Sequence, residues 1–182
     1  MKYNLETLLD RINCGEKPSY VYFWGHICDP GVIDETCMSQ WFDSEFTVDG
    51  VVYKTAEQYM MAQKARLFND ETVFSQIMAS NDPAEYKVLG RMVKSFDAAQ
   101  WDAAKYDIVR RGNLEKFKQN PKLRAYLDST GDSVLVEASP EDGIWGVMLG
   151  MEDPRIDNPT QWRGENLLGF ALMEVRDEIR RQ

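Results

Sequence analysis

The chain has 182 residues, of which 43% are hydrophobic and 12% aromatic, with a net charge of −9 and a pI near 4.7. That is enough apolar material for one domain with a real core, and too acidic a surface for bulk binding to a nucleic-acid backbone. No run reaches the ~18 apolar residues of a membrane span, and the N-terminus MKYNLETLLDRINCG has no apolar signal core, so neither membrane insertion nor secretion is expected.

The first elements are short. Residues 4–12 read as an amphipathic helix with Leu5, Leu8, Leu9 and Ile12 on one face, ended by Gly15 and Pro18. SYVYFW (residues 19–24) is aromatic and β-prone, and predicts a strand. A loop follows to Thr36 and holds His26, the only histidine. A Ser-His-Asp or Cys-His enzyme would have to use it. Cys14, Cys28 and Cys37 are odd in number and irregular in spacing. They argue for a reducing compartment, hence the cytoplasm, or the nucleus of a eukaryote. With His26 they match no zinc-site spacing, so no metal and no cofactor is expected.

Asp49-Gly50 is a two-residue hairpin signal between β-prone residues 45–48 and 51–53. A helix then opens in TAEQYMMAQKARLF (residues 55–68). Thr55 and Gln58 have the spacing of a capping box. At about 100° per residue, Met61, Lys64 and Phe68 fall within about 40° of Glu57. Ala56, Tyr59, Met60 and Leu67 make a second apolar face, which leaves a strip near Gln58, Ala62 and Arg66 for water. Glu57 and Lys64 are too far apart for an ordinary intrahelical ion pair. Two readings stand: each pairs elsewhere and holds the fold, or both reach toward one cavity.

The remainder reads as mainly helical. One helix is predicted to Ala79, capped by Asn69 or Asp70. A second runs from Asp82-Pro83 to about Ser95, with Tyr86, Leu89, Met92 and Val93 inward and Gly90 permitting a close approach. A third starts at Asp97 and is expected to break or bend at Gly112. A fourth runs from Asn120-Pro121 to Leu127. SVLVEA (residues 133–138) predicts a buried strand, SPEDGIWGVMLG (139–150) a loop and 152–164 a polar excursion. Residues 167–179 predict an amphipathic helix. The expected fold is α+β: a single compact, mainly helical domain over residues 1–182 with a small sheet.

No Walker or Rossmann glycine loop, HExxH, CxxC or GxSxG occurs. Trp24, Trp41 and Trp145 stand near Gly or Ser outside helices, where an indole stacks on a flat ring as readily as it packs in a core. Asp142 precedes Gly143-Ile144-Trp145-Gly146 and suits either a ligand-binding corner or an Asx turn. Arg91, Lys94, Arg110, Arg111 and Arg163 are the cationic candidates for a phosphate.

Eight stretches carry a resemblance. They are YFWGH (22–26), SQWF (39–42), TAEQYMMAQKA (55–65), LGR (89–91), FDAAQWD (96–102), VRRGNLEKFKQN (109–120), TGDSVLVEASPEDGIWG (130–146) and RGENLLGFALMEVR (163–176). In this order they resemble the NADAR, or YbiA-like, superfamily across nearly the whole chain. The resemblance implies an N-glycosidase, acting on ADP-ribosylated guanine in nucleotide, DNA or RNA, or on ribosylamino-pyrimidine phosphates of early riboflavin biosynthesis. A non-catalytic module that binds ADP-ribose is the third reading. The first implies a functional pairing with an ADP-ribosyltransferase toxin.

Glycosidic cleavage puts positive charge on the sugar and negative charge on the leaving nitrogen. Glu57 and Asp142 are the carboxylates assigned to that chemistry. The resemblance places a Schiff-base lysine at Lys64, and an apolar stripe is the environment that lowers a lysine pKa. It also implies pocket roles for Phe23, Trp24, Gly25, Trp101, Trp145, Gly146 and Asn166, with Arg91 as a substrate cation. The chain departs from the family pattern at Gln58, where relatives often carry His, and at Met148, where they carry Gly. Met148 is expected to narrow the loop beside Trp145.

Overall fold

The computed structural model describes residues 1–181. In chain order the elements are α1 (Leu5–Asn13), β1 (Tyr20–Phe23), β2 (Phe46–Val48), β3 (Val51–Tyr53), α2 (Ala56–Leu67), α3 (Glu71–Ala79), α4 (Pro83–Arg91), α5 (Ala98–Gln119), α6 (Pro121–Ser129), β4 (Val134–Glu137) and α7 (Leu167–Arg180). Short 3-10 turns occupy Glu35–Met38 and Pro159–Gln161. The class is α+β. The chain divides into two compact units, one of residues 40–121 and one of residues 1–39 with 122 onward.

The unit of residues 40–121 is built on α2. The β2–β3 hairpin pairs Phe46 with Tyr53 and Val48 with Val51, and Asp49 takes the left-handed turn conformation with Gly50. Thr55 then caps α2, accepting from the Gln58 amide at 3.0 Å. The reciprocal half of the capping box goes one residue further back. Gln58 Oε1 accepts from the Lys54 amide at 2.8 Å, and its Nε2 donates to the Ile77 carbonyl at 3.1 Å.

Helix α2 packs against α3, α4 and α5. The expected water-facing strip is therefore closed over most of its length: Gln58 and Ala62 are buried, Gln58 being tied to α3 through the Ile77 carbonyl, and only Arg66 keeps part of its surface. Small residues let the helices approach. A Cβ on Gly90 would sit 2.1 Å from Met61 Sδ, and one on Gly112 would sit 2.4 Å from Tyr59 Cδ1. Gly112 thus does not break its helix. α5 runs unbroken for 22 residues, and the glycine makes room for an aromatic ring. Helix α4 ends at Arg91, four residues short of the expected stop. Met92, expected inward, is 57% exposed, while Val93 is buried.

The other unit holds the parallel pair β1–β4, in register from Tyr20↔Val134 to Phe23↔Glu137. Helix α7 packs on β4. Its inward residues Leu168, Ala171, Leu172, Val175 and Ile179 are buried as its periodicity predicts. Arg176, also buried, donates to Thr130 Oγ1 at 2.7 Å and to the Ser133 carbonyl at 2.9 Å, fixing the approach to β4. In α1 the capping box is complete, Asn4 with Thr7, but only Leu8 of the expected apolar face is fully buried.

Candidate active site

In the unit of residues 40–121, Glu57 stands in the first turn of α2 and is only 4% exposed. The helix start favours a carboxylate there through its uncompensated N–H groups. The Glu57 amide donates to the Gln40 carbonyl at 2.9 Å. Gln40 is held in turn: its Oε1 accepts from Asn113 Nδ2 at 2.7 Å, and the same nitrogen donates to the Val109 carbonyl at 2.9 Å. Gln40 and Asn113 are buried and polar, and sequence reading passed over both. Their only signal was an amide residue inside otherwise apolar or motif-bearing segments.

Two turns along α2, Lys64 is half-buried among aromatic rings. Its Nζ lies 4.5 Å from the Phe96 ring centre and 5.4 Å from that of Trp101. Burial, and then the positive charge of Arg91, hold its pKa below the ordinary 10.5. The structure thus brings three sequence candidates together: Lys64, Trp101 from the start of α5, and Arg91 from the end of α4. Of the other basic candidates, Lys94 is exposed. Arg111 is paired with Asp49 at 2.7 Å on the hairpin turn.

In the other unit, the loop of residues 139–147 is laced to the start of α7. The amides of Arg163, Glu165, Asn166, Leu167 and Leu168 donate to the carbonyls of Val147, Gly143, Gly146, Ile144 and Trp145, at 3.0–3.2 Å. Gly164 admits this approach: a Cβ there would lie 2.2 Å from the Gly146 carbonyl oxygen. Asp142 Oδ1 accepts from the Ile144 and Trp145 amides at 2.9 and 2.8 Å. This is an Asx turn, and it sets the position of Trp145. The Oδ2 atom takes no part in it. Trp145 is half-buried.

Asn166 is fully buried and left-handed. Its Oδ1 accepts from the Glu137 amide at 3.0 Å and its Nδ2 donates to the Leu135 carbonyl at 2.9 Å, so the side chain is committed to β4. Phe23 is fully buried at the end of β1, whereas Trp24 beside it is 57% exposed and Gly25 is left-handed. Of the three, Trp24 and Gly25 present surface. Arg163 meets the rest of the unit through its backbone amide, which donates to the Val147 carbonyl at 3.1 Å. Among the described residues, no group of three or more His, Cys, Asp or Glu is placed to hold a metal ion.

The NADAR domain family matches residues 22–180. The chain belongs to the NADAR family. It is 42% identical over 168 residues to N-glycosidase R617 of Acanthamoeba polyphaga mimivirus, covering 90% of this chain and 98% of that protein. It is 33% identical over 144 residues to N-glycosidase Npun_R5314 of Nostoc punctiforme, covering 79% and 85%. N-glycosidase YbiA of Escherichia coli is 31% identical over 132 residues, covering 72% and 74%. The NMR structure of E. coli YbiA superposes with a TM-score of 0.72, covering 91% of this chain and 87% of that one at 27% identity. This NADAR protein is accordingly an enzyme, an N-glycosidase.

Proposed function

We propose that this N-glycosidase removes ADP-ribose from guanine bases, in a nucleotide or in nucleic acid, with Lys64 as the attacking group. The observation that carries the reading is the half-buried Lys64 amine between two aromatic rings, its pKa lowered by burial and by Arg91. A lowered pKa enlarges the neutral, nucleophilic fraction of the amine relative to an ordinary lysine. Arg91 beside it favours a phosphate-bearing substrate, and the Trp101 ring offers a flat face.

The Lys64 amine, in its neutral form, bonds to the ribose anomeric carbon while the bond from that carbon to the guanine nitrogen breaks. The departing nitrogen leaves with the bonding pair and takes a proton. The ribose ring then opens, its ring oxygen taking a proton and the lysine nitrogen forming a C=N bond to the former anomeric carbon. Water adds to that bond, and the amine is released with free ADP-ribose. Glu57, buried at the α2 start, supplies negative charge that stabilises the cationic sugar. Asp142 is assigned as the second carboxylate, on the chemistry of glycosidic cleavage.

The test is to incubate the protein separately with ADP-ribosylated guanosine and with ribosylamino-pyrimidine phosphates, and to quantify released base and sugar. The reading expects release from the first with faster turnover than from the second. Release only from the pyrimidine phosphates would reassign the enzyme to metabolite repair, and release from neither would overturn the substrate reading.

A further inference from the structure

The segment between α4 and α5 is held in a specific shape by a side-chain clamp, a buried anchor and a left-handed turn. Asp70, the buried N-cap of α3, accepts from the Val73 amide at 3.1 Å through Oδ1 and from the Lys94 amide at 2.9 Å through Oδ2. Val93 is buried and anchors the segment from below. Ser95 then takes a left-handed backbone, φ 53°, which a side-chain-bearing residue adopts at a cost. The result is Phe96, a large apolar side chain left 47% exposed. Its ring rests on Phe68, centroids 5.3 Å apart, and meets the Lys64 ammonium at 4.5 Å.

We propose that Phe96 is a positioning residue for Lys64: with Trp101 it forms a two-walled aromatic seat that holds the amine in its attacking place, and the Asp70 clamp and the Ser95 turn exist to present it. This rests on the reading of Lys64 as nucleophile. A ring face attracts an ammonium through its quadrupole, so the long, flexible lysine stem is fixed without a carboxylate that would raise its pKa. From α4, the charged group acting on Lys64 is Arg91, which opposes protonation. From α5 and the segment before it, the contacts are the two rings. An aromatic seat therefore orients the amine while holding its proton less firmly than a carboxylate partner would.

The test is a carbon-13 NMR titration of selectively labelled lysines in the intact protein, the Lys64 signal assigned by its loss in Lys64→Arg, run beside kcat and KM. Phe96→Leu keeps apolar cover but has no ring face, so the Lys64 midpoint falls below that of wild type; in Phe96→Trp it does not. Phe96→Leu also loses about ten-fold in kcat with KM within two-fold, while Phe96→Trp retains most of the rate. If the midpoint stays put and KM rises instead, Phe96 touches substrate rather than Lys64, and the proposal is overturned. It is equally overturned if Phe96→Leu behaves as wild type in every measure. If the midpoint shifts as expected but Lys64→Ala turns over normally, the nucleophile reading fails and the Phe96–Lys64 contact stands.

Discussion

Arg91 closes α4 and stands within electrostatic range of Lys64 on α2, so that its positive charge adds to burial in disfavouring the lysine ammonium. Repulsion and burial both favour the neutral amine. The folded-state pKa is depressed, so the unfolded chain binds the proton more readily between the folded midpoint and 10.5. Stability therefore rises with pH through that window, and burying the ammonium opposes folding below it. The rate of a lysine nucleophile rises with pH up to its folded midpoint and then levels. Arg91→Gln removes the repulsion, so the rate profile moves to higher pH. A pH–kcat series on both proteins checks the direction; a shift to lower pH is the contrary result.

Gly112 faces the ring of Tyr59, which is buried between the β2–β3 hairpin and α5. A methyl group at position 112 cannot fit without moving that ring. Gly112→Ala gains helix propensity in the middle of α5 yet overpacks, and we expect a net loss of about 1–3 kcal/mol in urea unfolding. A gain in stability would mean that Tyr59 yields freely.

Asp142 combines two functions that a pair of variants separates. Asp142→Ala removes the acceptor for the Ile144 and Trp145 amides, and about 1 kcal/mol of stability is expected to go with it. Asp142→Asn keeps a side-chain oxygen in place and changes only the charge. Its unfolding midpoint stays near wild type while its turnover falls at least ten-fold. Equal turnover in Asn and wild type would confine Asp142 to the turn.

Met148 occupies a left-handed position, φ 55°, that suits glycine. Its Sδ reaches back to within 3.0 Å of where a Cβ on Gly143 would lie. The side chain thus lies over Gly143, beside the Asp142–Trp145 corner that it is expected to narrow. Met148→Gly relieves roughly 1 kcal/mol of backbone strain and opens that corner. A thermal melt checks the first, with a higher midpoint expected. Relative kcat/KM on ADP-ribosylated guanosine and on a substrate with a larger leaving base checks the second, with the larger one gaining.

Local signals carried much of this fold. The Asp49-Gly50 hairpin, the Thr55 and Asp82-Pro83 caps and the apolar period of α7 each act within a few residues, and each is where the sequence puts it. What escaped depends on neighbours distant in the chain. Nothing within α5 reveals that Gly112 meets Tyr59, since a mid-helix glycine alone reads as a break. Nothing near Gln58 shows that α3 will cover it. The same holds at the site. Glu57, Lys64 and Asp142 were visible as charges in unusual company, but Phe96 reads as one more apolar residue until the Asp70–Lys94 bond and the left-handed Ser95 turn it toward the lysine. Gln40 and Asn113 escaped likewise, because their hydrogen bond spans 73 positions.

The central claim is that the Lys64 amine bonds to the sugar. It is tested most directly by adding borohydride during turnover of ADP-ribosylated guanosine and mapping the modified residue by peptide mass spectrometry. A reduced ADP-ribose adduct on Lys64 in wild type, with none in Lys64→Ala, is the result predicted. No adduct in wild type under demonstrated turnover, or an equal yield in Lys64→Ala, would contradict it.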